Sequence, residues 1–284
     1  MLFVVGILVV IGSVLGGYVL SHGQIMALFQ PFEVLIIGGA ALGAHLIANP
    51  MHVHKAIFAA MPRVMMGGKF HKHLYMDLLS LLYGLFDKAR KSGVMSIEGD
   101  VDDPQNSPIF SKYPAVLRET ALTEFITDYL RIVSSGNMAP HELEGLMDLE
   151  IETRKKELEE PAHAVQKVAD ALPGFGIVAA VLGIVITMSM LGTADSASIG
   201  MHVAAALVGT FLGILLAYGF VAPISGAMEH LVGEEVKAYE CVKVSILATM
   251  SGLPPQVAVE FGRKALFFGH RPKFQELNDY VKSH

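Results

Sequence analysis

The sequence predicts an all-α integral membrane protein with four transmembrane helices and a large helical cytoplasmic domain between the second and third. Three observations carry this expectation. Of 284 residues, 52% are hydrophobic and only 17% charged, and the mean hydropathy is positive, a composition unlike that of a soluble domain. All 21 Lys and Arg fall in two blocks, 14 in residues 50–170 and 7 in residues 228–284. The stretches outside those blocks, residues 1–49 and 171–227, hold no Lys or Arg and contain apolar runs that approach or exceed the roughly 20 residues needed to cross a bilayer.

Residues 2–20, LFVVGILVVIGSVLGGYVL, form the first run. A cleaved signal peptide carries positive charge ahead of its apolar core, and none stands here, so the run reads as a retained membrane helix. SHGQIMALFQPF then reads as a short uncharged turn on the outer side. Residues 34–48, VLIIGGAALGAHLIA, are short for a span, and Gly38, Gly39 and Gly43 suit close helix packing. A re-entrant segment is the alternative. The charge map favours a full span, because that places the basic block starting at Lys55 on the same side as the C-terminal block. Lys and Arg mark the cytoplasmic side, so both blocks and both termini are expected there, at a bacterial inner membrane.

The organisation that follows has four parts. Residues 1–49 hold transmembrane helices 1 and 2, and residues 50–170 a cytoplasmic domain. Residues 171–228 hold transmembrane helices 3 and 4, and residues 229–284 cytoplasmic helices and a polar tail. Within the first block, LYMDLLSLLYGLFDKARKSG has apolar residues at three- and four-residue steps and reads as an amphipathic helix ending near Gly93. In SIEGD, Ser96 is placed to cap a new helix or turn. VDDPQNSPIFSKYP is a loop rich in Pro and Asp. ETALTEFITDYLRIVSSGN is a second amphipathic helix, stopped at Gly136-Asn137. From Pro140 to Glu160 a highly charged helix leads back towards the membrane. Its acidic residues, Asp148 and Glu150 among them, read as a solvated face. Beyond Glu229 the fourth helix continues to a break at Pro254-Pro255, followed by a short helix, QVAVEFGRKAL.

Between Asp170 and Glu229 lies the apolar pair around which the rest is organised. Gly176, Ala179, Ala180 and Gly183 in one half, and Gly209, Gly213 and Ala217 in the other, recur at helical spacing and predict tight packing. Thr210 and Tyr218 put hydroxyls into the apolar run. Pro173 sits near the start of the first helix of the pair, where a first-turn proline is well tolerated. Pro223, near the end of the second, removes a backbone hydrogen bond inside a continuing helix and introduces a kink.

Several chemistries find no support. The glycines are not phosphate loops, since no Gly-x-x-x-x-Gly-Lys-Ser/Thr occurs. His52 with His54 and His71 with His73 form two His-x-His pairs without nearby Cys, and read as interfacial histidines rather than a metal site. No nucleophile–base or paired-carboxylate arrangement stands out, which argues against an enzyme, and no cofactor is implied. A proton or cation path needs an ionisable group within the membrane. Glu33, Asp170 and Asp195 read as lying at the ends of the runs, so a carboxylate would have to come from a partner.

The stretches FQPFEVLIIGGA, YMDLLSLLYGL, KARKSGVMSIEGD, FITDYLRIVSSG, LPGFGIVAAVLGIV, ALVGTFLGILLAYGFVAP and AVEFGRK, in this order, resemble the MotA/PomA family of flagellar motor stator subunits, distant kin of ExbB and TolQ. The resemblance implies ion flow, without enzymatic activity, coupled to torque. It implies a MotB-type partner that supplies a membrane aspartate and a peptidoglycan anchor, and a pentamer of this chain around two such partners. Arg90 in KARKSG and Glu98 in SIEGD match residues that engage a FliG-type rotor protein. Pro173 and Pro223 match two prolines linked to torque, while Thr210 and Tyr218 match residues lining the ion path. Sodium-driven relatives carry Thr where this chain has Ala180, so the resemblance favours protons over sodium. The surroundings of Thr187 and Ser189 depart from the best-known proton-type members. An ExbB/TolQ-like energiser and a non-conducting membrane scaffold are the competing readings. The first has three spans and lacks the KARKSG…SIEGD pairing.

Overall fold

The computed structural model describes residues 2–136, 138–192 and 195–283. Asn137, half of the expected helix stop, lies outside them. All regular structure among the described residues is helical, without a strand. The chain divides into two compact units, Met1–Gly67 with Leu158–His230 and Gly68–Glu157 with Leu231–His284.

The first unit begins with α1 (Leu2–Leu20), α2 (Ile25–Leu28), α3 (Pro31–Ala48) and α4 (Met51–Met66). Helix α1 is apolar all round and buries no residue within the chain, as expected of a helix that faces lipid or neighbouring subunits. The expected outer turn contains α2, and α3 starts three residues earlier than the apolar run suggests. Four stretches are long and apolar enough to cross a membrane: Leu2–Leu20, Ile25–Ala48, and runs within Pro140–Ser189 and Ser196–Met250. The second comprises α2 and the 18-residue α3, a helix longer than the 15-residue apolar run.

In the second unit, α5 (Lys72–Ser92) ends at Gly93, whose φ of +86° favours glycine. A 3₁₀ turn (Val94–Ile97) leads into α6 (Glu98–Asp102). Ser96 does not cap that helix; its hydroxyl donates to the carbonyls of Gly93 and Lys88, at 2.6 and 3.3 Å. The Pro- and Asp-rich loop is compacted by a 3₁₀ turn at Phe110–Lys112 and by α7 (Pro114–Leu117). Then comes α8 (Thr120–Ser135), closed by Gly136 in the left-handed region.

Of the two long helices, one departs from expectation and the other continues past Glu229 as expected. The charged helix and the third apolar run are one continuous helix, α9 (Pro140–Ser189), of 50 residues. Pro173 is therefore a helix-interior residue, as is Pro161, and the first-turn reading of Pro173 is corrected. The fourth run forms α10 (Ser196–Leu216), capped by Asp195, whose carboxylate accepts from the Ser198 backbone N–H at 2.9 Å. A π turn over Ala217–Val221 then leads into α11 (Ala222–Met250). After Gly252 (φ +80°) comes α12 (Pro255–Ala265), started by Pro255. The expected polar tail contains α13 (Phe274–Ser283), where the Tyr280 hydroxyl donates to buried Asp77 at 2.6 Å.

Candidate functional site

In the first unit, α9 and α10 run antiparallel and meet backbone to backbone. A Cβ placed on Gly213 would lie 2.7 Å from the Leu172 carbonyl oxygen and 2.9 Å from the Gly176 α-carbon. One on Gly176 would lie 3.0 Å from the Gly209 carbonyl oxygen and 3.3 Å from the Thr210 α-carbon, and one on Gly183 would lie 2.9 Å from the Ala206 Cβ. Only residues without a side chain allow this approach, and close packing is what holds helices together where no hydrophobic gain separates protein from lipid. Ile37, Ala41, Leu172, Ala179 and Ala217 form the core around the seam.

The residues expected to line an ion path fall at different places relative to this seam. Ala180 is buried on α9, its backbone nitrogen 3.5 Å from a Cβ position on Gly209. Thr210 is half-buried beside Gly209, whereas Tyr218 is 64% exposed in the π turn. Ala180 and Thr210 thus both border Gly209 on the seam, while Tyr218 faces away from the packed core of its own chain. Thr187 and Ser189 donate to carbonyls of their own helix, Gly183 at 2.8 Å and Ile186 at 2.7 Å, so both hydroxyls are satisfied within α9.

The two prolines differ. Pro173 follows Leu172, the residue whose carbonyl abuts Gly213. Pro223 is exposed and stands just after the π turn. A proline removes one helical N–H and its ring crowds the carbonyl four residues back, here that of Gly219. Widening the preceding turn to a π turn is a recognised way for a helix to absorb such an intrusion. The expected kink at Pro223 therefore takes the form of a π turn.

Glu33 stands in the first turn of α3, at the end of that helix, as expected. Helix α2 precedes it, separated from α3 by Phe29 and Gln30. A Cβ on Gly209, the fourteenth of the 21 residues of α10, would lie 3.4 Å from Glu33 Cγ. Glu33 Oε2 is buried with no hydrogen-bond partner among the described residues. The available signal was the spacing of Glu33, Ile37 and Ala41, which puts the carboxylate on the packed face of α3.

The second unit presents the charged pair. Arg90, in the last turn of α5, and Glu98, at the start of α6, are both exposed and form no ion pair with a described residue. Their neighbours are tied down. Lys91 bonds Asp87 at 2.7 Å, while Lys88 bonds buried Asp100 at 2.6 Å. Asp100 also accepts from the Ser107 hydroxyl at 2.7 Å, whose oxygen takes the Ile109 and Phe110 backbone N–H groups. Arg131 on α8 holds the other end of α6 by donating to the Val101 carbonyl at 2.8 Å and to Asp102 at 3.0 Å. Glu98 borders a cleft with Met95, Val101 and Arg131.

The acidic stretch of α9 is exposed, as expected, and two of its residues are also paired. Asp148 accepts from Lys243 at 2.6 Å and Glu150 from the Tyr129 hydroxyl at 2.7 Å. Three of the four paired histidines are likewise engaged. His52 reaches Glu160 at 3.1 Å, His54 reaches His45 at 3.1 Å, and His73 lies 3.5 Å from Asp77.

These features define a multi-pass helical membrane protein with a glycine-tight helix pair and a separate edge whose charges find no ion pair among the described residues. Residues 4–93 match the model of the Motility protein A N-terminal family, and residues 118–241 that of the MotA/TolQ/ExbB proton channel family. The chain is 47% identical to Motility protein A of Salmonella typhimurium over 285 residues, covering 100% of this chain and 96% of the relative. Its fold is similar to that of the C. jejuni MotAB structure, with a TM-score of 0.76 at 17% identity over 94% of this chain and 95% of that one. The flagellar MotAB stator complex from Bacillus subtilis gives 0.70 at 21% identity, over 90% and 92%. The chain belongs to the motility protein A family.

Proposed function

We propose that this chain is the stator subunit of a bacterial flagellar motor, coupling inward proton flow through a MotA–MotB-type complex to torque on a FliG-type rotor protein. The observation that carries the reading is the α9–α10 seam. It is a membrane helix pair packed without side chains at its crossing, with Ala180 and Thr210 along it, in a chain of the motility protein A family. In this reading the four apolar stretches are four spans in the inner membrane, with both termini and both basic blocks on the cytoplasmic side. Residues 50–170 then form the rotor-facing domain. Five copies surround two partner chains, whose membrane aspartate takes and releases the proton while their peptidoglycan anchor holds the axis still. Cycling that charge changes which subunit of the ring packs best against the partner, and the ring steps. Moving one charge through about 100 mV supplies roughly 2.3 kcal/mol, so many transits sum to useful work. Arg90 and Glu98 deliver the motion. Exposed pairs are individually weak, about 0–1 kcal/mol, which suits contacts that form and release repeatedly. Ala180 offers no oxygen to a dehydrated sodium ion, which supports protons.

Deletion of the gene tests the reading. The expected strain builds flagella that do not rotate, and the wild-type gene restores swimming. Normal swimming of the deletion strain, in a background with no second stator set, would overturn it. An ExbB/TolQ-like energiser would instead leave rotation intact and impair outer-membrane processes.

A further inference from the structure

We propose that Glu33 is an ion-relay residue, a carboxylate supplied by this chain that takes up the incoming proton beside the α9–α10 seam and hands it on. This rests on the stator reading above and deepens it.

Three observations converge on this side chain. Glu33 lies on the same face of α3 as Ile37 and Ala41, both of which are in the core that packs on α9 and α10. Its Cγ is 3.4 Å from a Cβ position on Gly209, the residue preceding Thr210, and the same position is 3.2 Å from the Ala179 Cβ and 3.5 Å from the Ala180 nitrogen. The side chain of Glu33 therefore reaches the stretch of seam at Gly209, which Ala180 and Thr210 border. Its Oε2 is buried, with no donor among the described residues.

Among the described residues the surroundings supply no counter-charge. Between Asp170 and Asp195, α9 carries no Asp, Glu, Lys, Arg or His. On α10 the titratable side chain is His202, seven residues before Gly209 and so two turns away on the same side of the helix. Asp195 caps the start of α10, and α2 carries no titratable group. On α3 itself the other titratable residue is His45, bonded to His54 and Asn49. A buried carboxylate oxygen without a fixed partner is costly for structure alone, and an uptake site for a cation is a reason to keep it. Glycine at position 209 makes the approach possible.

The step balances simply. A hydronium ion or protonated water chain from the outer side gives a proton to Glu33 Oε2 and is left as water. The O–H bond of the carboxylic acid then breaks as the proton passes, through water, to the partner chain's carboxylate, which restores the Glu33 carboxylate. No other reactant is needed.

The test uses the full complex of this chain with its partner chain, in the deletion strain and reconstituted in vesicles. Proton flux, swimming speed against external pH, and co-purification of the partner are measured for wild type, Glu33→Gln and Glu33→Asp. A relay predicts that Glu33→Gln lowers flux and speed by about tenfold or more with co-purification unchanged. Glu33→Asp should keep most of the flux but move the external-pH profile of speed. Wild-type flux in Glu33→Gln overturns the relay. Should Glu33→Gln fail to assemble, Glu33→Asp decides, and an unmoved pH profile in that variant overturns it. A speed that follows external sodium instead of pH overturns the proton assignment. Failure of the wild-type gene to restore swimming counts against the stator reading. A missing Glu33 effect in a swimming strain counts against the relay alone.

Discussion

The Leu172 carbonyl and Gly213 are pressed together so closely that a methyl group on Gly213 would sit 2.7 Å from the oxygen. The contact is backbone against backbone, so no rotamer change can make room. Gly213→Ala should destabilise the purified complex by about 1–3 kcal/mol through overpacking. Gly174→Ala is the control, because nothing lies within 4 Å of a Cβ built there. Alanine is the better helix former, so that variant should leave the melting temperature unchanged or raised. Equal melting temperatures for Gly213→Ala and wild type would show that the seam has room to open.

Asp100 holds Lys88 and Ser107 beneath the α6 turn that carries Glu98. Asp100→Ala strands the buried Ser107 hydroxyl and should cost about 1–3 kcal/mol, most of it from that hydroxyl, because Lys88 is 39% exposed and can be rehydrated. Asp100→Asn keeps an acceptor for Ser107 and should cost less. Thermal melting of the two variants in the intact complex orders them; equal losses would show that the charge on Asp100, not its hydrogen bond, matters.

Arg90 and Glu98 are exposed and without ion pairs among the described residues, so changing them should leave stability within about 0.5 kcal/mol. On the proposed reading, Arg90→Glu and Glu98→Lys nonetheless lower stall torque. Torque measured on tethered cells, together with membrane abundance, checks this. Undiminished torque in both variants would remove the pair from the rotor contact.

Ion identity is open to direct measurement. With protons as the driving ion, swimming speed should persist when sodium is removed and collapse on addition of a protonophore. Speed that tracks external sodium would overturn the argument from Ala180.

Tyr75, Tyr129 and Tyr280 of the second unit should make its stability fall at alkaline pH. Burial, followed by the Glu234 charge at Tyr75, by the Glu150 hydrogen bond at Tyr129 and by the Asp77 hydrogen bond at Tyr280, holds each hydroxyl well above the ordinary tyrosine range. The folded state therefore keeps these protons where the unfolded chain releases them. Their contribution is complete below the unfolded value of about 10 and is lost as pH rises above it. A tyrosinate absorbance titration should show these three lagging behind exposed tyrosines, and Tyr129→Phe should flatten the alkaline decline. Uniform titration of all eight tyrosines in the folded protein would contradict this.

Much of the fold was legible because its strongest signals are local. Apolar runs, the segregation of Lys and Arg, and glycines at helical spacing each declare a span or a packed face without reference to distant residues. What was missed depends on partners remote in sequence. The helix Phe274–Ser283 is anchored by Asp77, some two hundred residues earlier. Pro161 and Pro173 are helix breakers by local rule, yet α9 runs through both. Glu33 is terminal in α3, as its place in the run suggests, but its packing beside Gly209 depends on a helix remote in sequence.

The π turn at Ala217–Val221 has a geometric effect on α11. Gly213 and Ser225 both face α9, the first against Leu172 and the second donating to the Ala162 carbonyl at 2.8 Å. Regular α-helix between them, at about 100° per residue, would leave Ser225 roughly 120° away from that side. Letting one residue be absorbed by the wider turn reduces the mismatch to about 20°. The bulge thus acts as a phase correction, letting a single helix keep the same neighbour on both sides of an irregular turn.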